Sequence, residues 1–152
     1  MLDRTAIAAR IPHAGRMCLL DRVLHWDERG IRCTAVSHRD KDNPLLEAGR
    51  LPVWAGIEYA AQAAAVHGAL VRPQATLRNG VLAAMRNVNA CCERLDSIEG
   101  ELMFEATLLH SDPAGGIYSF EAHAVDALAG RKLLLSGQFT LMYLDARHGK
   151  GK

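Results

Sequence analysis

Pro52-Val-Trp-Ala-Gly-Ile-Glu58-Tyr-Ala-Ala-Gln62-Ala-Ala-Ala-Val-His67-Gly-Ala-Leu-Val71 reads as a helix that is apolar on nearly every side. Between Ala55 and Leu70 only Glu58, Gln62 and His67 are strongly polar. A helix without a polar face is buried rather than laid on a surface. The run is too short and too rich in alanine for a membrane span. A carboxylate inside a buried helix carries a desolvation cost and needs a partner or a task. Glu58 is therefore where chemistry is expected.

The 152 residues suffice for one domain with a real core. Eighteen Lys and Arg against 17 Asp and Glu give a net charge of +1. That balance argues against nucleic acid or an anionic membrane surface as partner. An aromatic content of 5% argues against a base-stacking platform. The N-terminus has no continuous apolar run that would serve as a secretory signal. The four cysteines, Cys18, Cys33, Cys91 and Cys92, form no C-x-x-C, and free thiols in a cytoplasmic protein are expected.

Outward from the helix, the chain alternates between strand patterns and turn formers. A short helix is expected over 5–9 and strands over 17–26 and 31–37, joined by the Asp27 to Gly30 turn. A polar break from Arg39 to Pro44 and a loop over 45–51 lead to Pro52, which suits a first helical position. Four further strands are expected, over 80–88, 101–109, 117–125 and 131–144, with Gly115-Gly116 and Ala129-Gly130 as hairpin turns. Leu102, Phe104, Ala106 and Leu108 alternate with Glu101, Met103, Glu105 and Thr107. Tyr118, Phe120, Ala122 and Ala124 alternate with Ser119, Glu121 and His123. One apolar and one polar face describe an antiparallel sheet covered on one side. One such sheet curled around one small-residue helix is the hot-dog arrangement, an α+β fold. A single domain over 1–146 is expected, with a disordered basic tail over 147–152.

Ile11-Pro12-His13 followed by Met17-Cys-Leu-Leu-Asp21-Arg22-Val23 resembles the opening of the hot-dog 3-hydroxyacyl-(acyl-carrier-protein) dehydratases. Gly56-Ile57-Glu58-Tyr59-Ala60-Ala61-Gln62 resembles the central helix of the dehydratase-like branch found with aryl polyene biosynthesis. The resemblance covers roughly residues 9–68 and implies loss of water from a 3-hydroxyacyl thioester, without a cofactor. A histidine would take the C2 proton and the helix carboxyl, here Glu58, would protonate the leaving hydroxyl. Burial would keep that carboxyl protonated near neutrality. Backbone N–H groups of Val53 and Trp54 would polarise the thioester carbonyl. The partners implied are an acyl carrier protein or acyl-CoA thioester, and a second hot-dog chain in a homodimer or heterodimer. In one respect the sequence departs from the family. The Gly-His-Phe-Pro-Gly run that supplies the base is replaced by residues 43–52, which hold no histidine, and Val53 stands where the family has glycine.

Two other functions therefore stand beside the dehydratase: a non-catalytic partner of an active hot-dog dehydratase, and a hot-dog acyl thioesterase in which Glu58 activates water. Gln62 either supports Glu58 or satisfies a neighbouring backbone group. His38 is the replacement base best placed in sequence, though a turn histidine at the surface is the simpler expectation. His13 is expected to order the N-terminal turn, and His67 to sit in the core on the side opposite Glu58. His123 shares the polar parity of its strand and is expected in solvent. The seven histidines show no metal-ligand spacing, so no metal is expected. Arg50 and Arg86 are candidates for phosphate contact, Asp21 and Arg22 for a structural pair, and Cys33 for the core. Val66, Ala69 and Leu70 would line an acyl tunnel or pack the core.

Overall fold

The computed structural model describes residues 1–11, 17–72 and 80–143. Its elements are α1 (Arg4–Ala8), β1 (Arg22–Trp26), β2 (Gly30–Ala35), α2 (Ala55–Val71), β3 (Gly80–Ala90), β4 (Leu102–Asp112), β5 (Gly115–Asp126) and β6 (Gly130–Tyr143). The six strands form one antiparallel sheet in the order β1-β2-β4-β5-β6-β3. Long β4, β5 and β6 make its centre, and α2 lies in its hollow against β4, β2 and β5.

The alternation read from the sequence is what fixes α2 there. Phe104, Ala106, Tyr118, Phe120, Ala122, Phe139 and Leu141 are all buried on the helix side. Tyr59 stacks on Phe104 with ring centroids 4.9 Å apart, tying the helix to β4. Gly56 explains the small-residue composition: a Cβ there would stand 2.9 Å from Leu135 Cδ2, so the first turn of the helix has no room for a side chain.

Several boundaries differ from the sequence pattern. Residues 18–20 read as strand because they are apolar, yet they are a buried loop and β1 begins at Arg22. That loop is held by a side chain rather than by a ladder: Gln62 accepts from Leu19 N–H at 2.9 Å and donates to the Met17 carbonyl. Pro52 is not helical. It bridges to Arg94, and a tight turn follows in which Ala55, Gly56 and Ile57 N–H donate three residues back before α2 settles. The β4–β5 turn is Pro113-Ala114, with Gly115 already paired to Asp112. Asp21 and Arg22 do not pair with each other; Arg4 reaches Asp21 at 3.2 Å and Arg22 reaches Glu101 at 2.6 Å. The tail 147–152 and His13 lie outside the described residues.

The two ends of the sheet differ. β1 is short and receives Leu2 across a bridge at Val23. β3 is 11 residues long and among the described residues pairs only with β6. Its pairing slips between Leu82 and Ala84 and again between Arg86 and Asn89, with Asn87 at φ 55°. These bulges bend the strand.

Candidate functional site

Glu58 lies on α2 as expected but not in the core. It is exposed and makes no hydrogen bond or ion pair among the described residues. The burial expected from the apolar sequence is therefore not supplied by this chain. The reason is geometric: the sheet wraps three sides of α2 and leaves the fourth open. Trp54, Glu58, Ala61 and Ala65 recur at the three- and four-residue spacing of one helix face. Trp54 is 52% exposed and the two alanines are half-buried. Ala61 and Ala65 are apolar, so the sequence gives no sign that this stripe is open.

The start of α2 is clamped from one side. Val53 N–H donates to the Glu93 carbonyl at 3.0 Å, Leu95 N–H to the Leu51 carbonyl at 2.8 Å, and Leu51 N–H to Asp96 Oδ1 at 2.9 Å. The Arg94 guanidinium, bonded to Asp96, holds that carboxyl well below the usual carboxylate range. Val53 N–H is thus already committed. Trp54 N–H has no acceptor among the described residues, and Glu58 follows one turn on. Of the two backbone donors expected from sequence, only Trp54 is left for a ligand.

A second network orders the loop before the helix. Ser37 Oγ donates to the Leu19 carbonyl at 2.8 Å, so the Tyr59 hydroxyl donates to Ser37 Oγ at 2.7 Å and accepts from Asn43 Nδ2 at 2.9 Å. Asn43 also donates to the Ser37 carbonyl and accepts from Leu45 N–H. Asn43 is buried although it lies in a run of polar turn formers that reads as exposed. Tyr59 stands one residue from Glu58, about 100° around the helix, and is buried against β4, so this network fixes the rotation of the helix and hence the outward aim of Glu58.

Among the described residues no histidine bonds to Glu58. His38 is neither at the surface nor beside the carboxyl: it is fully buried, and Nε2–H donates to the Ile98 carbonyl at 2.9 Å. Its Nδ1 is buried with no hydrogen-bond partner, and desolvation pulls its pKa below the ordinary value. His67 is in the core as expected. Its Nε2–H donates to the Asp27 carbonyl at 2.8 Å and Nδ1 accepts from the Tyr118 hydroxyl at 2.9 Å. Burial lowers the pKa of His67 and raises that of Tyr118. His123 is on the outer face of the sheet, as its parity required, but it is only 8% exposed and lies 3.4 Å from Glu121. His25 and His110 stand beside Asp27 and Asp112 at the turns near the far end of α2. Gln62 serves the 17–19 backbone and does not support Glu58. Cys33 is fully buried, its thiol pushed up to about 12 by desolvation.

Two further features sit on the outer face of the sheet, separated from Glu58 by the whole layer. A cavity of about 520 Å³ is bordered by Arg32, Glu105, Ser119, Glu121 and Gln138. Beside it, Glu105, Glu121 and His123 bring potential ligand atoms within 4.8 Å of one another. Glu105 is already paired with Arg32 at 2.7 Å and Arg131 at 3.4 Å, and two guanidiniums oppose a cation there.

The sheet order, the single apolar helix in its hollow and the acid on the helix's open face define a hot-dog domain. The chain belongs to the ApeP-like family, described as ApeP dehydratase, whose pattern matches residues 5–147. Among solved structures, it is similar to the dehydratase heterocomplex ApeI:P from Xenorhabdus doucetiae. That match has 22% identity and a TM-score of 0.81, and covers 99% of this chain and 97% of that one. It also resembles AziG of S. sahachiroi, with 21% identity, a TM-score of 0.55 and coverage of 82% and 90%. Thioesterase superfamily member 2 of zebra fish matches at 14% identity and a TM-score of 0.62, covering 93% and 95%. No curated protein matches the sequence. No helix among the described residues is long and apolar enough to cross a membrane.

Proposed function

We propose that this chain supplies the acid half of a 3-hydroxyacyl thioester dehydratase whose base comes from a second hot-dog chain. One observation carries the reading. Among the described residues Glu58 is presented, without a hydrogen-bond or ion-pair partner, on the open face of a largely buried helix, and no described histidine shares that face. A group placed so is complete only when something covers it.

In the reaction, an imidazole of the partner removes the C2 proton and the C2–C3 double bond forms as the C3–O bond breaks. Glu58 gives its proton to the departing hydroxyl, which leaves as water. Trp54 N–H bonds the thioester oxygen as charge collects on it. Imidazolium and carboxylate then exchange the proton with solvent. The substrate is carried by an acyl carrier protein or by CoA. A cytoplasmic setting fits the free cysteines.

The long β3 edge supports the pairing. Among the described residues its outer side has no ladder, and Val81 and Met85 are 40% and 55% exposed. An edge of this length and apolarity is a template for another strand. The similar Xenorhabdus structure is a dehydratase heterocomplex, which favours a different hot-dog chain over a second copy.

The test is mass spectrometry of a 3-hydroxyacyl-loaded carrier protein. Wild type alone should leave the mass unchanged. Addition of a histidine-bearing hot-dog homologue should remove one water, about 18 Da, and Glu58→Gln should abolish that gain. Dehydration that persists in the Glu58→Gln assembly would defeat the reading. Release of free thiol from an acyl thioester without a 3-hydroxyl would replace it with a thioesterase.

A further inference from the structure

We propose that Met85 determines which acyl groups the open face of α2 accepts; the assignment rests on the acyl-thioester reading above. The register places the residue. Met85 is opposite Phe139 and Leu82 is opposite Leu141, both core residues, so these β3 side chains share the helix side of the sheet. Yet Met85 is 55% exposed, although Leu82 and Val88 on the same strand pack against the core, so among the described residues the inner face of β3 is left uncovered at Met85. A large apolar side chain on the inner face of a curled sheet, left uncovered, is an exception to how the other strands use that face.

Its level along the helix follows from two contacts. Near the start of α2, Gly56 lies against Leu135, which pairs with Ala90 at the end of β3. Near the end of α2, Gly68 lies against the Tyr143 hydroxyl, and Tyr143 pairs with Gly80 at the start of β3. Helix and strand therefore run in opposite directions, and Met85, midway along β3, is level with Gln62. That is about one turn, roughly 5 Å, beyond Glu58. On the other side of Glu58 stands Trp54, with the start of the helix tied through Leu51 and Val53 to the strap from Glu93 to Asp96. In the proposed mode an acyl group whose C3 is at Glu58 extends the other way, over Ala61 and Ala65, and passes Met85. Bulges on both sides of Met85 hold it at this bend. An unbranched, polarisable side chain is suited to shape itself around a variable apolar ligand.

The probes are butanoyl, octanoyl and dodecanoyl pantetheine amides, which bind without turning over, titrated calorimetrically into the full-length protein in the assembly it purifies in. Met85→Trp should weaken octanoyl and dodecanoyl binding by about tenfold or more, while butanoyl binding changes little. Met85→Ala should leave the longer amides bound and weaken none selectively. Equal change for all three amides in Met85→Trp, or no change, overturns the assignment. So does loss of assembly in place of a length-dependent effect. The outcome is separable from the dehydratase reading. Length-graded binding without water loss in the mass assay would leave Met85 in place and remove the reaction. Water loss with a flat length profile would do the reverse.

Discussion

Lowering the pH from 7.5 to 5.5 should destabilise this fold through two buried imidazoles. His38 and His67 are both fully buried, and desolvation holds both below the ordinary value of 6.5. Each donates Nε2–H to a backbone carbonyl. A proton on Nδ1 would leave a buried charge with no acceptor at His38, and at His67 would turn away the Tyr118 proton. The sign follows. Below pH 6.5 the unfolded chain takes up protons that the folded chain refuses, so stability falls as pH falls and is fully present only above 6.5. If a histidine stays neutral in the fold throughout, the loss over this interval is about 1.4 kcal/mol, and about 2.7 kcal/mol for the pair. Asp27, Asp96 and Asp126 are shifted downward by the hydrogen bonds they accept, away from this window. Urea unfolding followed at both pH values should show the midpoint lowered by about 1–2 M with an unchanged slope. His38→Asn, whatever it costs at pH 7.5, should remove part of the pH dependence. Equal midpoints at pH 5.5 and 7.5 would refute the argument that these two groups are held neutral by burial.

Three other outcomes are expected. Gln62→Leu fills the same space but orphans Leu19 N–H and the Met17 carbonyl, so urea unfolding should show a loss of about 2–5 kcal/mol; a loss under about 1 kcal/mol would mean that other contacts hold the 17–19 loop. Gly115→Ala places a Cβ 1.9 Å from the Leu141 carbonyl oxygen at φ 156°, and a thermal melt should fall by about 10 °C or the protein should fail to fold. Glu58→Gln should leave the melting temperature within about 1–2 °C of wild type, because the side chain is exposed and unpaired, while dehydration by the assembled enzyme falls by about a hundredfold or more.

How much of this was legible in the sequence differs by feature. The fold was, because α2 has no polar face and β4 and β5 alternate cleanly, and only a sheet curled around a helix satisfies both patterns. The motif around Glu58 also picked out the helix carboxyl. The sequence could not show that the helix is open on one side, because Ala61 and Ala65 on the open stripe read the same as Ala60 and Ala64 in the core. Residues 18–20 misled for a related reason: buried loop and buried strand have the same composition, and only the distant Gln62 distinguishes them. The sequence neighbours of His38 and His123 suggest solvent, but His38 is bonded to Ile98 and His123 sits opposite Met103 on β4, both distant in the chain. Val53 N–H is occupied by Glu93, forty residues away, and no local pattern announces that.

The uncapped side of β3 bears on how much of this protein a cell can hold. A strand of 11 residues with apolar side chains at its rim will pair with whatever edge it meets first, including its own. On the proposed pairing, a chain made in excess of its counterpart would be drawn into self-association or degraded, and one made in step would be captured at once. Its safe abundance would then be set less by its own folding stability than by the supply of the covering chain, and balanced production of the two would be a requirement written into the backbone.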